Sequence, residues 1–114
     1  MRNILATAAA FIGLALSVGT PADAYDWQIV AHVTSVEVTT SPAMIDFRAD
    51  QAGGSCAAGS LLFWLPPHHA TDATSQAQNA SSALSALMTA DVTGHTVTLY
   101  GSNAGCEINF LYLN

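Results

Sequence analysis

The chain has 114 residues and a formal net charge of −6. From residue 25 onward Arg48 stands alone against Asp26, Glu37, Asp46, Asp50, Asp72, Asp91 and Glu107, which excludes nucleic acid and anionic membrane surfaces as partners, since both are held by clustered Lys and Arg. The length suits one small domain and is too short for two.

Arg2 supplies a positive start, Ile4 to Gly19 is an uncharged apolar stretch, and Ala22-Asp23-Ala24 has the small-x-small form that signal peptidase accepts. This pattern predicts a removed secretory signal over residues 1 to 24. The apolar stretch falls short of the roughly 20 residues that span a bilayer. Residues 25 to 114 are then a single domain, secreted or periplasmic, with no integral membrane segment after cleavage.

Within it, "WQIVAHVTSVEVTT" (27 to 40) is rich in β-branched residues and alternates, which predicts a long first strand. Its apolar parity is odd at Ile29, Ala31 and Val33 but even at Val36 and Val38. A bulge near Thr34-Ser35 reconciles the two by inserting one residue. Pro42 marks a turn, and "AMIDFRA" (43 to 49) places Ile45, Phe47 and Ala49 on one face of a second strand, in a hairpin with the first. A glycine-rich loop, residues 50 to 60, carries Cys56, and "LLFWLPP" (61 to 67) is a short third strand ended by prolines.

From Thr71 to Val92 the composition turns to Ala, Ser, Gln and Leu, and the stripe Ala77, Ala80, Leu84, Leu87, Met88 has helical spacing. Either Asp72 or a Ser75-Gln78 capping box starts this helix, and Gly94 stops it. "HTVTLYG" (95 to 101) is a fourth strand. "CEINFLYL" (106 to 113) is a fifth, with Cys106, Ile108, Phe110 and Tyr112 on one face and Leu111 and Leu113 on the other. A strand apolar on both sides is covered on both, or is paired with another subunit.

Cys56 and Cys106 are the two cysteines. An even count in a small exported domain predicts a disulfide between them. Closing a loop of about fifty residues stabilises a fold by about 4 kcal/mol. The fold expected is mainly β with one helix, in the order β-β-β-α-β-β: a five-stranded OB-like Greek-key barrel, with a plain meander and packed helix as its competitor.

The segment "ALSALMTADVTGHTVTLYGSNAGCEINFLYLN" has a helix ending in Leu-Met-x-Ala, a glycine, a Thr-Val-Thr-Leu-Tyr strand and Gly-Cys before a last apolar strand. In these features the chain resembles small secreted bacterial OB-fold domains similar to the B subunits of pertussis-like AB5 toxins. The similarity covers most of residues 27 to 113, with Cys56 matching a cysteine before the third strand. It implies glycan binding by a ring of B subunits. Where the sialic-acid-binding members carry a serine, near the start of the first strand, this chain has Asp26, Trp27 and Gln28. An aspartate there repels a sialic carboxylate at short range, which leaves a neutral sugar stacked on Trp27, Trp64 or Tyr100 as the implied ligand.

Other chemistry is sparse. His68, His69 and Asp72 form a candidate metal-binding loop if a ligand such as His95 approaches in space. Asp46 and Asp50 flank Arg48 as surface charge balance. No nucleophile and base stand at a catalytic spacing, and no cofactor motif is present. The function expected is a secreted, non-catalytic binding module, for a neutral glycan or as a subunit of a homo-oligomeric assembly. The alternative is a structural or protein-interaction domain of the envelope or periplasm without a small ligand.

Overall fold

A computed structural model describes residues 24 to 114. Apart from Ala24, the signal expected over residues 1 to 24 lies outside the described residues. The elements are β1 (Trp27–Glu37), β2 (Ile45–Ala49), β3 (Leu61–Trp64), α1 (Ala73–Thr93), β4 (Thr96–Gly101) and β5 (Ile108–Leu113). One antiparallel sheet orders the strands β3-β2-β1-β4-β5. The fourth strand thus returns beside the first after a hairpin-linked trio, the spatial order of a Greek key rather than a meander.

The two edges, β3 and β5, are joined as a ladder only by an isolated parallel bridge between Phe63 and Glu107, the residue before β5. The sheet is therefore open, and the expected closed barrel is not seen. The cause is local: β3 lasts four residues, and Leu65 leads straight into Pro66-Pro67, where a 3₁₀ turn (Pro66–His68) begins. Proline has no N–H to extend a ladder. β5 continues alone past the point where β3 stops.

β1 serves both halves of the sheet. Residues Trp27 to His32 pair with β4, whereas Val33 to Glu37 pair with β2, and the register slips between Val33 and Ser35. The parity change visible in the sequence is this bulge: Val33 lies in the core on one side of it, and Val36 packs against the core on the other. Ile45, Phe47 and Ala49 of β2 are all buried, as their alternation predicts.

α1 covers the inner face of the sheet. Asp72 is its N-cap, accepting a 3.0 Å hydrogen bond from the Ser75 N–H, and Gly94 ends it in the left-handed conformation at φ 78°. Such a cap contributes about 1 kcal/mol. The buried stripe is Ala80, Ala83, Leu87 and Ala90. This corrects the expected stripe at two places, because Ala77 and Met88 face solvent. Alanine at three of the four seats lets the helix lie close to β1, where Ala31 is also small. Among the described residues no helix is long and apolar enough to cross a membrane.

The disulfide is present: Cys56 is bonded to Cys106, with Cα atoms 5.9 Å apart. Cys106 lies in a short 3₁₀ turn (Ala104–Cys106) rather than in the last strand.

Candidate functional site

β5 holds a second bulge that its sequence did not reveal. Tyr100 pairs with Phe110, but the next residue of β4, Gly101, pairs with Ile108, so Asn109 is the extra residue. Its amide oxygen accepts a 2.8 Å hydrogen bond from the Ser102 hydroxyl. The bulge breaks the alternation within β5 and corrects the face assigned above: Ile108 turns into the core, fully buried, while Phe110 and Tyr112 project from the opposite face.

That outer face of β1, β4 and β5 is aromatic. Across it run the rows Gln28-Tyr100-Phe110 and Val30-Thr98-Tyr112. Tyr25, just before β1, meets Tyr100 edge-on with ring centroids 4.8 Å apart, and Tyr100 meets Phe110 and Tyr112, each at 5.9 Å. Edge-to-face pairs of this kind are favourable beyond the area they bury. Yet Phe110 and Tyr112 remain 42% and 55% exposed.

The border of the patch is polar, and largely neutral along β4 and β5. The Asn114 side-chain amide bridges the hydroxyls of Thr96 and Thr98 at 3.0 and 3.1 Å, and Gln28 is exposed beside Tyr100. Carboxylates stand at its two ends: Asp26, exposed beside Tyr25 and accepting from the Asn103 N–H at 2.8 Å, and Asp50, whose Oδ2 lies 3.1 Å from His32 Nδ1. A 2.8 Å hydrogen bond from the His32 backbone N–H holds the Asp50 carboxyl below the usual aspartate range. Flat apolar rings ringed by neutral donors and acceptors suit a ligand that is apolar on one face and hydroxylated at its edges.

The three aromatics singled out in the sequence do not converge. Tyr100 lies at the centre of the outer patch. Trp27 is buried on the inner side, against the backbones of Gly53, Gly54 and Gly101. Trp64 is buried at the end of β3, where its ring stacks on His69 at 3.9 Å and its Nε1 donates to Asn79 Oδ1 at 2.7 Å. It lines a shallow pocket of about 160 Å³ with Asn79, Ser82, Ala83, Ala86 and Leu111, in the seam that the short third strand leaves open.

The metal candidates also separate. His68 Nδ1 approaches Glu107 Oε2 at 2.6 Å, Asp72 caps α1, and His95 Nδ1 lies 3.2 Å from the Asn114 backbone oxygen. His69 lies under Trp64, and burial holds its imidazole below the ordinary histidine range, so it is neutral at pH 7. Among the described residues no three His, Cys, Asp or Glu side chains gather as a metal site.

Asp46 departs from its expected role in surface charge balance. It is only 4% exposed, directly opposite Glu37 of β1, and Arg48 turns instead to the Gly59 carbonyl at 2.9 Å. Burial, then the hydrogen bond and charge of Glu37, raise the Asp46 carboxyl above the usual aspartate range, against a weaker opposing pull from Arg48. A hydrogen bond from Thr39 lowers Glu37. An acid whose folded pKa is raised makes the fold less stable as pH climbs from its unfolded to its folded value. Glu37 acts in the opposite sense: its contribution is present above the ordinary glutamate range and is lost as pH falls through its lowered folded value. Asp46→Asn is therefore expected to raise the urea midpoint at pH 7. The gain should fade by about pH 3, where Asp46 is protonated in both states.

No protein-family model matches this chain, and neither a curated protein nor a solved structure matches it.

Proposed function

We propose that this chain is an exported, non-catalytic binding module that takes a neutral glycan on the outer face of β1, β4 and β5. The observation that carries the reading is the exposed aromatic group of Tyr25, Tyr100, Phe110 and Tyr112, bordered by Gln28, Thr98 and Asn114. Sugar rings present C–H faces to aromatic surfaces and hydroxyls to amide and hydroxyl partners, and the patch supplies both, while Asp26 beside Tyr25 disfavours an acidic sugar. The disulfide supports export, because such bonds persist in oxidising compartments. The Greek-key order and the contact of β3 with the root of β5 favour an OB-like barrel left unclosed by Pro66-Pro67, in keeping with the resemblance to AB5 B subunits. Relative to the ligand platform expected from sequence, this proposal keeps Tyr100 and replaces the two tryptophans by Tyr25, Phe110 and Tyr112.

The test is calorimetric titration of the oxidised protein with a panel of neutral oligosaccharides. At least one is expected to bind, and Tyr100→Ala or Tyr25→Ala to weaken it about tenfold with the unfolding midpoint little changed. If no neutral sugar binds, or if Tyr100→Ala leaves the affinity intact, the proposal fails.

A further inference from the structure

β5 is an edge strand, and its free side is unguarded. The Asn114 N–H donates to the Thr96 carbonyl at 3.0 Å. In an antiparallel ladder such residues alternate, so Phe110 and Tyr112 also turn their backbone groups toward β4, while Leu111 and Leu113 turn theirs outward. The short third strand leaves these outward groups without a strand opposite. Proteins blunt such edges with lysine, proline or charge. Residues Phe110 to Leu113 carry none of these, and three of the four are more than two-fifths exposed: Phe110 42%, Tyr112 55% and Leu113 42%.

We propose that this edge pairs antiparallel with the same strand of a second copy, across a two-fold axis at Tyr112. Three features select a second copy. The pairing is self-complementary: Leu111 exchanges both backbone hydrogen bonds with the partner's Leu113, and the relation repeats across the axis. Tyr112 then meets the partner's Tyr112 at a non-hydrogen-bonded position, where cross-strand side chains come closest. The second feature is charge. Two chains of net charge −6 repel wherever carboxylates meet, but β5 has none, and Glu107 at its root already faces His68. Lastly, the edge requires a strand apolar on both faces, with leucine on one and aromatics on the other, which is the pattern of β5 itself. The dimer joins the two outer aromatic patches into one surface. On the glycan reading above, this makes the site bivalent and raises avidity for repeating sugars.

Size-exclusion chromatography with light scattering, run without sugar over about a hundredfold dilution series, tests the dimer separately from glycan binding. A dimer mass is expected, shifting to monomer in Leu113→Lys with an unchanged circular dichroism spectrum. Tyr112→Cys is expected to form an intermolecular disulfide that Val92→Cys, at the 83% exposed helix position, does not form. A monomer at every concentration overturns the proposal. So does a larger ring insensitive to Leu113→Lys, or equal cross-linking by both cysteine variants. A dimer that binds no neutral sugar would leave this pairing standing and remove the glycan reading alone.

Discussion

Replacing Cys56 and Cys106 together by alanine is expected to cost about 4 kcal/mol of stability, most of it through the unfolded chain. The bridge spans a sequence separation of 50, so in the unfolded protein it forbids the many conformations in which the glycine-rich loop and the root of β5 are far apart. A domain of this size has about 5–15 kcal/mol in total. The reduced form is therefore expected to be marginal, with a much lower urea midpoint and a slope at least as steep, because its unfolded state exposes more surface. Non-covalent ties hold the same region: Asn103 Oδ1 accepts from the Ser55 N–H at 2.9 Å, and the Asn103 N–H donates to Asp26 at 2.8 Å. A loss below about 1 kcal/mol would mean that these contacts already confine the loop in the unfolded ensemble. Urea unfolding of the oxidised protein beside the double variant decides between the two.

Much of the fold was legible because its signals are local. The bulge in β1 appears as a change of apolar parity, since Val33 and Val36 are both apolar and both needed inside. The bulge in β5 leaves no such trace. Ile108, Phe110 and Tyr112 keep one parity and Leu111 and Leu113 the other, and alternation is silent along the apolar run from Phe110 to Leu113. The one polar residue, Asn109, shares the parity of the leucines and is too little to fix a face. What sends Ile108 inward is the pairing of Asn109 with Ser102 across the turn, a contact between residues with no pattern of their own. The aromatic face is hidden in the sequence for this reason: unbroken parity puts Phe110 and Tyr112 on the side of Cys106 and Ile108. The burial of Asp46 is equally invisible in the sequence, because it depends on standing opposite Glu37 and Phe63 on neighbouring strands. The open seam was half visible in Pro66-Pro67, which marks where β3 stops but not that β5 continues past it.

Trp27→Ala is expected to be the costliest single core truncation, at about 3–5 kcal/mol. The Trp27 ring is not merely covered; it fills a slot walled by glycine. A Cβ on Gly101 would lie 2.3 Å from the ring, and one on Gly53 2.5 Å from it. Neither residue has the positive φ that would call for glycine on backbone grounds. Their need for glycine is therefore steric, and it points back to one side chain. Gly101→Ala alone should force the ring or the β1-β4 pairing to shift, a strain of about 1–3 kcal/mol. In a protein already carrying Trp27→Ala, the same change should cost little, because the added methyl enters vacated space. The two losses are then far from additive, and a double-mutant cycle by urea unfolding reads the coupling directly. The Trp27 indole N–H has no acceptor among the described residues, so Trp27→Phe should recover part of the stability that alanine loses: shape holds this residue, not hydrogen bonding. A strong coupling identifies Trp27 as the pillar between the disulfide loop and β4. An additive cycle would mean that the loop and β4 hold their positions without the ring between them, and that its contribution is burial alone.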